Sequence, residues 1–111
     1  MSTYNHVTLV GILEKDPIKK MVGKKAKTTF TLGVEVYKGK NTPQEINYFD
    51  IVLWGKLAEI AGEYLRAGKK VLVDGKLSVR HYDKDNTPES RRWITEVVAE
   101  NIKFLPAPAT A

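Results

Sequence analysis

Apolar and polar side chains alternate along several stretches of the chain, a pattern typical of β-strands that bury one face. The strands predicted on this basis are His6–Leu13, Thr28–Tyr37, Tyr48–Trp54, Val71–Tyr82 and Arg92–Phe104. A lysine-rich arm, Ile18–Lys27, precedes the second strand, and we expect it to form a hairpin that turns at Gly23. The loops Lys38–Glu45 and Asp83–Arg91 contain Asn and Pro and separate the later strands.

The period of the pattern changes after Gly55, where apolar residues recur at helical spacing. The residues of the predicted apolar helix face are Leu57, Ile60, Ala61, Tyr64 and Leu65. Gly68 is the predicted stop of this helix. Five strands with one helix between the third and the fourth is the connectivity of the OB-fold, a partly open Greek-key barrel. We therefore predict an all-β OB-fold domain over residues 1–105 and a disordered Pro/Ala-rich tail at residues 106–111.

Two of the predicted strands carry aromatic or basic side chains on the face that points away from the core. The expected core face of these two strands comprises Phe49, Ile51, Leu53, Val71, Val73, Leu77 and Val79. Their opposite face carries Tyr48, Asp50, Val52, Trp54, Lys76, Ser78, Arg80 and Tyr82. Aromatic rings beside cations suit a polyanion whose bases stack, because every base has a π-face. The pattern therefore predicts binding of single-stranded nucleic acid.

The candidate contact residues are aromatic and basic. The leading stacking candidates are Tyr48, Trp54 and Tyr82, followed by Trp93 and Tyr37, which adjoin flexible loops. The alternative for each ring is a partly buried aromatic at a subunit interface or at the barrel rim. The cations expected to pair with phosphates are Lys56, Lys76 and Arg80. The lysine cluster of residues 19–27 is either a second landing surface or a solvated hairpin, and Asp50 opposes phosphate binding unless it pairs with a neighbouring cation.

Composition narrows the range of functions. The chain has 111 residues, enough for one domain with a single core, and 18 basic against 13 acidic residues give a net charge of +5. A basic balance attracts phosphates or anionic membranes and does not choose between them. Cysteine is absent, no apolar run reaches the ~18 residues of a membrane span, and the first residues do not resemble a signal peptide. We therefore expect a cytoplasmic protein.

Patterns that would indicate catalysis or metal binding are missing from the sequence. The two histidines, His6 and His81, lie far apart and match no metal-ligand spacing, and no Gly-rich phosphate loop is present. His81 shares the inward face of its strand with Val79, so we expect a hydrogen-bonded packing role and not metal ligation. The aspartates form no convincing pair of carboxylates for acid–base chemistry. We predict a non-enzymatic protein that needs neither a metal nor a cofactor.

Four blocks of short motifs follow one another in order. They are NHVTLVG with DP at residues 5–11 and 16–17, LWGKLAE with EYLR at 53–59 and 63–66 followed by Gly68, VLVDGKL at 71–77, and TEVV at 95–98. Together these blocks resemble the bacterial-type single-stranded DNA-binding protein family. The resemblance extends over about residues 5–104, which is nearly the whole chain.

The resemblance implies an OB-fold that wraps single-stranded DNA without sequence specificity and protects it during DNA replication, recombination and repair. It also implies a nucleoid-associated homotetramer, with a dimer as the alternative. Carried over by position, Tyr48, Trp54 and Tyr82 fall where the family commonly has Trp, Phe and Trp. These positions agree with the alternation of strand faces described above. Lys56 and Arg80 fall on basic contact positions of the family.

The chain departs from the family pattern in two respects. Asp50, Ala67 and Ser78 replace basic residues of well-known members, so attraction for phosphate should be weaker there. The cations that could compensate are Lys69, Lys70 and Lys76. Many members continue through a linker to an acidic tip that recruits replication and repair proteins, and this chain ends at Ala111 without one.

The alternative to a single-stranded DNA-binding function is a primosome-type accessory protein. Such a protein is a short OB-fold relative whose aromatic face serves mainly protein–protein contacts.

Overall fold

The chain forms a strand-rich barrel in a computed structural model that describes residues 3–42, 44–83, 85–86, 89 and 91–106. The elements are β1 (Val7–Leu13), β2 (Ile18–Val22), β3 (Lys25–Val36), β4 (Glu45–Trp54), α1 (Lys56–Tyr64), β5 (Lys70–Asp83) and β6 (Arg91–Phe104). The strand order is β1-β5-β6-β4-β3-β2, and an additional pairing of β1 with β3 closes the sheet on itself. Strands β4 and β6 run parallel, and the other paired strands are antiparallel.

This architecture confirms the predicted all-β OB-fold with a helix between the strands now numbered β4 and β5. The described part of the chain has six strands rather than five, because the predicted lysine-rich arm pairs with β3 along its whole length as β2. Gly23 lies in the turn between these strands with a φ of 64°, as predicted. Residues 107–111 of the predicted tail lie outside the described residues.

The core lies between the inward faces of the strands and one side of α1. Its buried members are Leu13, Ala26, Phe30, Leu32, Ile51, Leu53, Ala58, Ala61, Leu65, Val71, Val73, Val97 and Ala99. Burial of each large aliphatic side chain contributes about 1.5–3 kcal/mol. Thr28 is the buried polar residue beside this core, and its hydroxyl donates a hydrogen bond of 2.6 Å to the Ala58 carbonyl oxygen. This bond fixes α1 against β3.

The helix differs from its prediction at its C-terminal end. It ends at Tyr64, and Leu65 already has an extended backbone. Gly68 is therefore not the helix stop, although its φ of 89° favours glycine, and its N–H donates to the Leu13 carbonyl oxygen. Tyr64 was predicted on the apolar face but is exposed, whereas Leu65, the next residue, is buried in the core.

Strand β1 passes very close to β3 at a pair of glycines. A Cβ atom on Gly11 would lie 2.3 Å from the Gly33 carbonyl oxygen, a distance that no side chain tolerates. The absence of a side chain at Gly11 therefore allows β1, which pairs with β5 over most of its length, also to reach β3 and close the barrel.

Strands β5 and β6 continue beyond the barrel as a two-stranded ribbon. Strand β5 pairs with β1 only as far as Gly75, and β6 pairs with β4 only at Val97 and Val98. Beyond these pairs the two strands continue together without interruption to the Asp83–Arg91 pair. We call residues 77–83 and 91–96 the distal ribbon. Leu77 and Val79 were predicted in the core but are 45% and 59% exposed. The prediction was wrong because the distal ribbon has no opposite strand to cover its inward face.

Candidate nucleic-acid interface

The outer face of the sheet carries a cavity of about 370 Å³, which we call the outer groove. Its walls come from β3, β4, β5 and β6, whose outward-facing residues are neighbours in register. The charged side chains that line it are Lys15, Asp16, Lys27, Asp50, Arg80 and Glu96. Val52 forms part of its floor and is buried, although strand parity had assigned it to the exposed face.

Trp54 lies on the same outward face of the sheet and is held beside the groove by pairing with β3. Its Cα is registered with that of Lys27, whose ammonium nitrogen is 5.3 Å from the centroid of the indole ring. The Lys25 ammonium nitrogen is 6.0 Å from the same centroid. Both distances fall within the range of cation–π attraction. Trp54 therefore presents an exposed ring with two positive charges beside it.

Arg80 and Tyr82 occupy the other end of the interface, on the distal ribbon. Both are exposed, and they share one face because residues two positions apart in a strand point to the same side. The Arg80 Nε donates to a Glu96 carboxylate oxygen at 3.0 Å. The Glu96 side chain is only 15% exposed, so it anchors the guanidinium from the groove floor.

Three further predicted contact residues are exposed near the outer groove, namely Tyr48, Lys76 and Lys56. Tyr48 is exposed and six residues before Trp54, a separation of about 20 Å along β4. Lys76 is exposed on the same face of β5 as Arg80. Lys56 is exposed at the first position of α1, two residues after Trp54. These predicted contact residues therefore border the outer groove or its extension along the strands.

Trp93 lies on the opposite face of the distal ribbon. Its Cα is registered with that of His81, and the two ring centroids are 5.0 Å apart. Tyr82 pairs with Arg92 and points to the other side. His81 was predicted as a packed inward residue but is exposed, for the same reason as Val79. The structure thus places Trp93 away from the face that holds Trp54 and Tyr82.

The remaining predicted contact residues lie far from the groove. Tyr37 is exposed just after the end of β3, opposite to the end that carries Lys27. Lys69 and Lys70 adjoin the start of β5, ten residues before Arg80, a separation of about 33 Å along the strand. The structure does not bring these three residues to the outer groove.

Sequence reasoning missed the role of two lysines beside Trp54. Lys25 and Lys27 belong to the cluster that was left open between a landing surface and a solvated hairpin. Their contact with the indole follows from the Lys27–Trp54 register of β3 and β4. That register could not be derived from the sequence because the loop joining the two strands does not fix it.

The groove itself is electrically balanced. It is lined by three basic and three acidic side chains, whereas the chain as a whole has a net charge of +5. The sequence left open whether Asp50 opposes phosphate binding or pairs with a neighbouring Lys or Arg. Among the described residues its hydrogen-bond partner is instead the Thr31 hydroxyl, at 3.5 Å. Cationic attraction is therefore concentrated at the ends of the groove and not at its centre.

The described part of the chain offers neither a metal site nor a membrane-spanning helix. No group of three or more His, Cys, Asp or Glu side chains there is placed to hold a metal ion. No described helix has the length and apolar character needed to cross a membrane.

The fold and the site together define an OB-fold domain whose outer face is lined with aromatic and cationic side chains, an arrangement suited to single strands of nucleic acid. A sequence model of the Single-strand binding protein family matches residues 4–105. The chain belongs to this family.

Individual relatives agree with that assignment. The chain is 43% identical over 104 residues to Single-stranded DNA-binding protein 2 of Clostridium acetobutylicum, covering 91% of this chain and 76% of the relative. It is 36% identical over 110 residues to the Single-stranded DNA-binding protein of Thermotoga maritima, covering 95% and 76%. A solved structure of Plasmodium falciparum SSB in complex with ssDNA has the same fold, with a TM-score of 0.82, 24% identity and coverage of 96% and 98%.

Proposed function

We propose that the chain binds single-stranded DNA without requiring a defined sequence, and protects it during replication, recombination and repair. The observation that carries this proposal is the exposed Trp54 ring on the outer sheet face with the Lys25 and Lys27 ammonium groups beside it. A base that stacks on this ring contributes about 1–3 kcal/mol whatever its identity. The adjacent ammonium groups neutralise the phosphates on either side of that base.

The proposed path of the strand follows the outward aromatic residues. Tyr48, Trp54 and Tyr82 supply stacking surfaces, and the cations that flank them are Lys56, Lys76 and Arg80. Tyr37, Trp93, Lys69 and Lys70 are proposed as contacts of a longer strand that wraps around the domain, because they lie on other faces or at distant strand ends. Each phosphate neutralised should lower the logarithm of the affinity by about 0.7 per tenfold rise in salt.

The proposed activity is binding alone, with no catalytic step and no cofactor. The relatives named above are single-stranded DNA-binding proteins, which favours this function over the primosome-type accessory role. The proposal includes a cytoplasmic, nucleoid-associated location. Contacts with replication and repair proteins are proposed for any form of the protein that carries an acidic C-terminal tip.

We further propose that the domain associates into a homotetramer, with a dimer as the alternative. Apolar side chains are exposed on β1 at Val10 and Ile12 and on the distal ribbon at Leu77 and Val79. Exposed apolar surface of this kind is typical of surfaces that contact another protein. Light scattering of the free protein would distinguish a tetramer from a dimer or a monomer.

The stacking mechanism can be tested by fluorescence titration. A Trp93→Phe variant leaves Trp54 as the tryptophan that reports binding, since the chain has two tryptophans. Addition of oligo(dT) should quench this emission strongly at low salt and more weakly at high salt, and a duplex of equal length should bind much less. Trp54→Ala in the otherwise unchanged protein should weaken binding by about 1–3 kcal/mol.

Two outcomes would contradict the proposal. Equal affinity for the duplex would show that the groove recognises charge alone. Unchanged affinity in Trp54→Ala would show that the ring serves a protein interface, as the accessory-protein alternative requires. Circular dichroism of each variant provides the control for folding.

A further inference from the structure

The three carboxylates of the outer groove differ in the strength of the hydrogen bonds that they accept. Asp16 accepts a hydrogen bond from the Ala67 backbone N–H at 2.8 Å. Glu96 accepts the Arg80 Nε–H at 3.0 Å. Asp50 has as its partner among the described residues only the Thr31 hydroxyl, at the 3.5 Å limit of hydrogen bonding. Asp50 therefore keeps acceptor capacity that faces the groove.

The position of Asp50 also decides which part of a nucleotide can occupy the groove. A phosphate beside an ionised carboxylate is repelled, and Glu96 adds a second negative charge to the same cavity. Three cations line the cavity. The strand register places Lys27 and Arg80 toward its two ends, and Lys15 comes from the segment between β1 and β2. A bound strand would therefore direct its bases into the centre of the groove and its phosphates toward the rims.

The chemistry of unpaired bases makes this orientation selective. An ionised carboxylate only accepts hydrogen bonds. Cytosine, adenine and guanine present exocyclic amino groups that donate, whereas thymine presents a carbonyl oxygen at the equivalent place on its edge. Thymine has one donor of its own, the ring N3–H, but a carbonyl oxygen lies on each side of it. A carboxylate is therefore attracted more strongly to the amino groups of the first three bases than to thymine. Single strands expose these edges because the bases are not paired.

We propose that Asp50 makes the outer groove select bases that carry an exocyclic amino group over thymine. This inference rests on the proposed single-strand binding function and adds a preference in base composition to it. Glu96 has a positioning role, since it holds the Arg80 guanidinium beside the groove. The remaining guanidinium N–H groups of Arg80 can then donate to the acceptors of a cytosine, at its ring nitrogen and carbonyl oxygen.

The test compares oligo(dC) with oligo(dT) of equal length, because both are pyrimidines with similar stacking surfaces. Binding is measured by anisotropy of labelled oligonucleotides at about pH 8, where Asp and Glu side chains are ionised. The affinity ratio, oligo(dC) over oligo(dT), should be about five- to tenfold higher in the unchanged protein than in Asp50→Asn. Asp50→Asn should also bind oligo(dT) several-fold more tightly, because a charge that repels the thymine carbonyl oxygens is gone.

Matched variants separate this effect from a general change of charge. Glu63→Gln removes one negative charge from an exposed position on α1, away from the groove, and should leave the affinity ratio unchanged. Asp50→Ala removes the acceptor entirely and should lower the ratio as Asp50→Asn does. Because two different substitutions at Asp50 are used, a folding defect in one of them does not prevent the measurement.

The outcomes distinguish this inference from the function on which it rests. If both Asp50 variants keep the affinity ratio of the unchanged protein, base selection by Asp50 is wrong, although single-strand binding stands. If Glu63→Gln shifts the ratio as much as Asp50→Asn does, the effect is general electrostatics and the inference is equally wrong. Failure to bind either oligonucleotide overturns the proposed function together with the inference.

Discussion

The two ends of the proposed interface carry similar chemistry on very different supports. Trp54 lies on the barrel body, directly after the fully buried Leu53, and two lysines hold its ring. Tyr82 and Arg80 lie on the distal ribbon, where the inward-facing residues have no strand to cover them. Few buried contacts mean a low free energy of local opening. The body should therefore present a fixed stacking site, and the ribbon a site that adjusts to the strand.

The largest expected effect contrasts two leucines in these two regions. Leu53→Ala should reduce the free energy of unfolding by about 2–5 kcal/mol, because it leaves a cavity in the core. Leu77→Ala should cost less than about 1 kcal/mol in the monomer, because this side chain already contacts water. Urea denaturation at low protein concentration measures both. Equal losses would show that the ribbon is covered in solution, as it would be in a tight oligomer.

The next contrast concerns stacking at the two ends. Trp54→Ala should weaken oligo(dT) binding by about 1–3 kcal/mol, and Tyr82→Ala should lie at the lower end of that range. The tyrosine offers a smaller ring, and the ribbon that carries it must be ordered on binding. Isothermal titration calorimetry separates the enthalpy and the entropy of binding. We expect the contact of Tyr82 on the distal ribbon to carry a larger entropic penalty than the contact of Trp54. A larger loss for Tyr82→Ala than for Trp54→Ala would reverse this comparison.

A third change would place a positive charge between the two ends of the outer groove. Asp50→Lys replaces the negative charge at the centre of the groove with a positive one, and affinity for oligo(dT) should rise several-fold at low salt. The salt dependence should steepen by about 0.7 log unit per tenfold change in salt for one additional phosphate contact. Binding measured at several salt concentrations gives the slope. Asp50→Asn is the control, because it removes the negative charge without adding a positive one.

The smallest expected effect concerns the cations at the two ends of the outer groove. Lys27→Gln and Arg80→Gln should each reduce the salt slope by about 0.7, the loss of one phosphate contact. Arg80→Gln should reduce it less if Glu96 competes with the phosphate for the guanidinium. The double variant Arg80→Gln with Glu96→Gln then separates the two contributions. An unchanged slope in Lys27→Gln would exclude this lysine as a phosphate contact.

The barrel could be predicted from the sequence because its signals are local. Alternation placed Ile51 and Leu53 in the core and Tyr48 and Trp54 outside it, and the structure confirms both assignments. The helical spacing after Gly55 located α1 to within a residue at its start. Such patterns depend only on the direction of successive side chains, which the backbone geometry dictates.

The errors concern properties that depend on distant parts of the chain. Val79 lies on the same face of β5 as the core residues Val71 and Val73, as alternation predicts. It is nevertheless exposed, because no strand covers that face so far along β5. The pairing of Lys27 with Trp54 depends on the register of two long strands, which the intervening loop does not determine. Trp93 was predicted as a stacking residue beside a flexible loop, and only its register with His81 shows that it lies on the face of the ribbon opposite to Tyr82.

The short contact between β4 and β6 has a consequence for the slow fluctuations of the barrel. Strands β4 and β6 meet through only two registered pairs, Ile51 with Val97 and Val52 with Val98. So short a parallel seam should separate more readily than the long antiparallel ladders on either side. Amide hydrogens along this seam should therefore exchange with deuterium faster than those of Val71 and Val73, which lie on β5 between β1 and β6. The outer groove lies over the seam, so a single strand bound across it would join both sides and slow that exchange.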